Sequence, residues 1–135
     1  MKRRDFLKTS SLAALGLLVP RSARATNNLL CYPPGVIYTK EHPGRWAKKV
    51  GSHAPRVQVE GCKVTIETRH PMSKKHFIVR HTLVASDGQV LGAKTFIPED
   101  KKPISTYEIP KGKRGKFFAT SFCNLHDFWV TPFTI

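Results

Sequence analysis

The sequence predicts an all-β fold, an immunoglobulin-like β-sandwich of about seven strands. Three observations carry that expectation. Short stretches alternating apolar and polar residues recur from residue 57 to the end of the chain. Turn-forming residues punctuate them, and no helical period appears after the N-terminal region.

Taken in order, the chain opens with "MKRRDFLK", a charged stretch with paired Arg3 and Arg4, followed by the apolar run "SLAALGLLVP" and the small-x-small step "ARA". That order resembles a twin-arginine (Tat) signal peptide over residues 1–25, which implies export after folding and a periplasmic or other extracytoplasmic location. Residues 26–135 then form one expected domain. Within it, 26–56 are rich in Pro, Gly and Asn ("CYPPG", "EHPGRW") and read as loop with one short strand at "VIYT". "VQVEGCKVTIETRH" supplies two strands around Gly61, with Val57, Val59, Val64 and Ile66 as β-branched anchors. "HFIVRHTLVA", the Asp-Gly turn in "SDGQ" and "VLGAKTFI" make a hairpin. "ISTYEI" follows, then the basic turn "KGKRGK", a solvated run that keeps strand edges soluble, then "FFATSF" and "FWVTPF".

Residues 1–25 hold six of the 23 basic residues and one of the nine acidic ones, so residues 26–135 keep 17 against 8, a net charge of +9. Such a surface favours anionic partners. No basic helix or aromatic-and-basic RNA-binding motif accompanies it, which argues against nucleic acid. No apolar stretch after the leader reaches membrane-spanning length, so the mature form is not expected to insert into a membrane.

Three cysteines, Cys31, Cys62 and Cys123, leave one over in an oxidising compartment. Cys31 with Cys62 is one candidate pair, which would free Cys123 for chemistry. Six histidines stand at 42, 53, 70, 76, 81 and 126. His53 lies in "GSHAP", just before the first strong strand. His70 and His76 bracket the connection between two expected strands, and His126 follows Cys123 by three residues near the last strand. Loops at one end of a sandwich converge, so four imidazoles and one thiolate can meet at a point. Such donors admit iron, copper or zinc. A closed zinc site would leave one histidine spare. A blue-copper site would use two histidines and want a methionine, and Met72 is the only one after the leader.

"HPMSKKHFI", "CNLH" and the step "SHAP" together resemble the superoxide reductases, the desulfoferrodoxin and neelaredoxin family, over most of residues 48–130. The resemblance implies one mononuclear non-haem iron, held equatorially by His53, His70, His76 and His126 and axially by Cys123. It implies one-electron reduction of superoxide anion to hydrogen peroxide, fed by a separate one-electron donor not named by the sequence. Dimers or tetramers are common in such a family, so a homo-oligomer is a further expectation. Phe122, Phe128 and Trp129 are expected either to shield the sulfur or to serve as sandwich core.

The sequence departs from the family in one place that matters. A Glu-Lys pair commonly precedes the first ligand histidine there, and here those positions are Gly51 and Ser52. Lys48, Lys49 and Lys74 are the nearby cations that could take the lysine's part. The departure favours one rival, an exported iron protein of poor turnover acting in electron transfer or small-ligand sensing; a cupredoxin-like copper carrier and a cofactor-free immunoglobulin-like interaction module are rivals apart from it. His42 and His81 have no place in the motif and read as surface or structural residues.

Overall fold

A computed structural model of the chain describes residues 33–135. The leader expected at 1–25 and Cys31, with its pairing to Cys62, lie outside the described residues. Seven strands follow one another: β1 (Arg56–Glu60), β2 (Lys63–Glu67), β3 (Ile78–Ala85), β4 (Val90–Thr95), β5 (Ile104–Glu108), β6 (Lys116–Cys123) and β7 (Asp127–Thr134). They build two antiparallel sheets, ordered β1-β2-β5 and β4-β3-β6-β7, so the expected all-β sandwich is what forms. All seven strands fall on the alternating stretches of the sequence.

Alternation decides which side chains face the core. Val64 and Ile66 of β2 meet Leu83 and Ala85 of β3 and Phe117 and Ala119 of β6 in one buried cluster between the sheets. Fully burying each of the larger side chains is worth roughly 1.5–3 kcal/mol. Gly61, at φ 60°, lets a two-residue loop join Glu60 to Lys63 across the first hairpin. A buried polar bridge crosses between the sheets. Buried His81 on β3 bonds the hydroxyls of Thr68 and Ser105 at 2.9 Å each, and Thr68 in turn donates to Ser121 Oγ at 2.9 Å. His42, by contrast, is exposed.

Two expectations for the first segment need correction. Residues 44–53, read as loop, form a 3-10 turn (Gly44–Lys49) running into one α-helical turn, α1 (Val50–His53). Pieces this short carry too little periodicity to be seen in sequence, and tertiary contacts hold them. The strand expected at "VIYT" shrinks to a single bridge: Tyr38 donates its N–H to the Phe128 carbonyl and accepts from the Val130 N–H, each at 2.9 Å.

Antiparallel order fixes where the chemistry lies. β1 starts, β2 ends, β3 starts, β6 ends and β7 starts at the same end of the sandwich. Every candidate ligand lies at or just beyond one of those strand ends.

Candidate metal centre

Each of the five side chains is held by its local backbone. His53 closes α1 and is buried, its Nδ1 beside the Lys49 carbonyl (3.2 Å) and Ser52 Oγ (2.8 Å). An N–H on Nδ1 donating to that carbonyl leaves Nε2 with its lone pair. His70 follows β2, its N–H bonded to the Thr68 carbonyl at 2.8 Å. His76 ends a tight turn in which its N–H and carbonyl both bond Ser73. Cys123, the last residue of β6, faces inward at 1% exposure. Asn124 then stitches the β6–β7 turn to the 75–77 segment: its amide donates to the Lys75 carbonyl at 2.9 Å and its side-chain oxygen accepts the Phe77 N–H at 3.0 Å. His126 lies in that turn, its carbonyl capped by Trp129 Nε1 at 2.8 Å.

The structure brings the five together: one donor atom from each of His53, His70, His76, Cys123 and His126 lies within 4.8 Å of all the others. The nitrogens form a chain, His70 Nε2 to His76 Nε2 at 2.9 Å, His76 Nε2 to His126 Nδ1 at 2.9 Å, and His126 Nδ1 to His53 Nε2 at 3.0 Å. Cys123 Sγ stands 3.3 Å from His76 Nε2, 3.6 Å from His126 Nδ1 and 4.0 Å from His70 Nε2. Hydrogen bonding alone does not satisfy this cluster. An imidazole nitrogen has one in-plane direction, an N–H or a lone pair, whereas His76 Nε2 and His126 Nδ1 each face three partners. One cation among five lone pairs satisfies them all. Two nitrogens about 2.1 Å from a shared ion and at right angles stand about 3.0 Å apart, which matches the spacing around the chain. The donor set thus fits a single metal ion.

The electrostatics point the same way. Burial, then the positive charge of neighbouring imidazoles, lowers His53 to about 3. Burial and His76 lower His70 to about 4; its Nδ1 is buried with no hydrogen bond of good geometry, although the Pro71 backbone favours the protonated ring. His76 and His126 are also lowered, first by burial. All four imidazoles are therefore held toward the neutral form, with lone pairs to offer, at neutral pH. Burial pushes the Cys123 thiol up, against the pull of the Leu125 and His126 amides. A buried thiol that holds its proton is inert until a cation displaces it.

Of the cations near the departure at Gly51 and Ser52, Lys49 is the one whose charge reaches the cluster. It is half-buried on the turn leading to His53, and after burial it is among the influences that lower His70, His76 and His126 and oppose the rise at Cys123. Lys48 and Lys74 are exposed. Met72 stays outside the converging five and packs against Ile78, Phe96 and Cys123. Of the three aromatics, Trp129 is fully buried with its ring 6.0 Å from that of His53, while Phe122 is 39% exposed. Strand alternation explains the correction: with Cys123 inward, Phe122 must face out.

Sequence reasoning missed a second layer. Asp127 Oδ2 accepts from Arg45 Nη2 at 2.7 Å and from Trp46 Nε1 at 2.8 Å, and the Trp46 ring meets His126 edge-on at 4.6 Å. No local signal joins residues 81 or 82 positions apart; only the fold does.

The family described as desulfoferrodoxin matches residues 45–132 of the chain. No curated protein matches it. Among solved structures, superoxide reductase (neelaredoxin) from Ignicoccus hospitalis is 27% identical, with 73% of this chain and 93% of that one aligned at a TM-score of 0.62. A variant of the same protein aligns at 25% identity and a TM-score of 0.65, over 73% of this chain and 92% of that one. The single-iron superoxide reductase from Giardia intestinalis shares the fold at 24% identity and a TM-score of 0.57, with 62% and 98% covered.

Proposed function

The chain belongs to the desulfoferrodoxin family, and on that premise we propose that it is a non-haem iron superoxide reductase. The observation that carries this reading is the convergence of four imidazoles and one thiolate donor within 4.8 Å. His53, His70, His76, His126 and Cys123 would hold the iron. A mononuclear iron held there would supply one-electron ferrous-to-ferric chemistry, the single reducing equivalent that, with two protons from solvent, takes superoxide to hydrogen peroxide. Five protein donors are one fewer than an octahedral ion accepts, so a metal that favoured six would keep room for an outside ligand. The mixed donor set favours iron over a blue-copper ion, which would use two histidines and waste two.

The chain's own residues do the rest. The four neutral histidines bind without first giving up protons, and Cys123 contributes the anionic charge that offsets the cation. Lys49 supplies the positive charge that draws in a small anion, in place of the lysine missing at Ser52, and the +9 charge of residues 26–135 raises the encounter rate over a longer range. Trp129 and the buried strand ends keep water from the inner side of His53 and Cys123. The protein closes the cycle by taking one electron from a separate donor. The resemblance of residues 1–25 to a twin-arginine leader supports export by the Tat route, with residues 26–135 acting as one domain in the periplasm or another extracytoplasmic space.

The test is stoichiometric. The reduced, iron-loaded protein is mixed anaerobically with superoxide, and peroxide and oxygen are both measured. Reduction yields one peroxide per superoxide and no oxygen. A yield of half, with oxygen released, would mean dismutation, and no consumption would sink the catalytic reading.

A further inference from the structure

Asp127 is the one described residue other than glycine with a positive φ, 65°. It closes the three-residue loop Asn124–His126 between paired Cys123 and Asp127, where the hairpin needs a left-handed residue. Glycine meets that need at no steric cost, and Asp is one of the few side chains that tolerate it. The turn by itself therefore gives no reason for a carboxylate. The side chain's contacts give one. Asp127 Oδ2 holds Arg45 and Trp46 at once, Arg45 lies 4.8 Å over the Trp46 ring, and Trp46 abuts His126. Those two residues begin the 44–53 turn, whose last residue is His53. The far end of the same segment is tied to β7 as well, where Thr131 Oγ1 donates to the Pro55 carbonyl at 2.6 Å.

We propose that Asp127 is a positioning residue, a latch whose grip on Arg45 and Trp46 seats the 44–53 turn so that His53 Nε2 stands opposite His126 Nδ1. The inference rests on the metal-centre reading above and adds the residue that sets its most detachable ligand. Of the five ligand residues, His53 alone comes from a helical turn outside the β-sheets and the loops between their strands. Its place depends on how that turn is tied down. The same turn carries Lys49, so the latch also fixes where the site's cation stands.

Two substitutions in the full chain separate the latch from the turn. Asp127→Gly keeps the left-handed backbone and removes the carboxylate; Asp127→Asn keeps an oxygen acceptor. Asp127→Gly should lose iron to a ferrous chelator about 10- to 100-fold faster and change the ferric paramagnetic resonance line shape. Its metal-free melting temperature should change little, because relief of the left-handed backbone offsets the loss of a largely exposed ion pair and the added freedom of the unfolded chain. Trp46 emission in the metal-free chain should move to the red. Asp127→Asn should restore iron retention and emission toward those of the unsubstituted chain. Iron release from Asp127→Gly at the unsubstituted rate would overturn the proposal, as would faster release matched by an equal loss of metal-free stability. An unsubstituted chain that takes up no iron would refute the metal reading instead, and the Trp46 shift then still decides whether the latch exists.

Discussion

Loading the folded protein with a divalent metal should release one proton per ion between pH 7 and 8, and that proton should come from Cys123. With His53 at about 3, His70 at about 4 and His76 and His126 lowered, all four imidazoles already offer lone pairs in this window. Cys123 is shifted the other way by burial, so its thiol keeps its proton until the ion takes its place. One proton released makes affinity rise about tenfold per pH unit, about 1.4 kcal/mol. Four histidines at the ordinary value near 6.5 would together carry about one further proton at pH 7 and make the dependence there about twice as steep. The assay is anaerobic titration calorimetry with ferrous iron in buffers of different ionisation enthalpy, repeated at several pH values. Cys123→Ser should bring the release close to zero. Two or more protons released at pH 7 would refute the burial of the imidazoles; none released by the unsubstituted protein would refute Cys123 as a ligand.

Other consequences are as direct. The metal-free protein should lose stability as pH falls below 6.5, because the unfolded histidines take up protons that the buried ones refuse; His81, at about 3, accounts alone for about 2 kcal/mol at pH 5, readable in thermal melts. Gly92→Ala would drive a Cβ into the Tyr107 ring, with Cε1 at 2.7 Å, and should cost about 1–3 kcal/mol in denaturant unfolding. Lys49→Met should slow the reaction with superoxide about tenfold at low ionic strength and flatten its salt dependence, measured by pulse radiolysis. Adding a lysine by Ser52→Lys to the Lys49→Met chain should recover part of that rate.

Much of this was legible because strands announce themselves locally. Val64 and Ile66, or Phe117 and Ala119, alternate with polar neighbours, and a period of two needs only four or five residues to show. The convergence of the five donors was legible because four of them sit in two compact motifs, "HPMSKKH" and "CNLH", each spanning one connection between strands. The helical turn at 44–53 was not, since ten residues split between a 3-10 and an α turn hold no repeated face. Nor was the Asp127 contact with Arg45 and Trp46, which depends on β7 returning beside the first segment. The choice of Lys49 over Lys48 and Lys74 likewise follows from burial that only the fold sets, Lys49 being half-buried while the other two are exposed. Phe122 shows the opposite lesson: its exposure was already implied by Cys123 facing inward, once the strand was placed.

The most direct measurement is electron paramagnetic resonance on the oxidised, iron-loaded protein, with spins counted against chains and the same spectrum taken for Cys123→Ser. One high-spin ferric ion per chain, with a spectrum that changes when the sulfur is removed, is the predicted result. A cupric signal, an absence of bound iron, or a ferric spectrum indifferent to Cys123 would contradict the five-ligand iron centre.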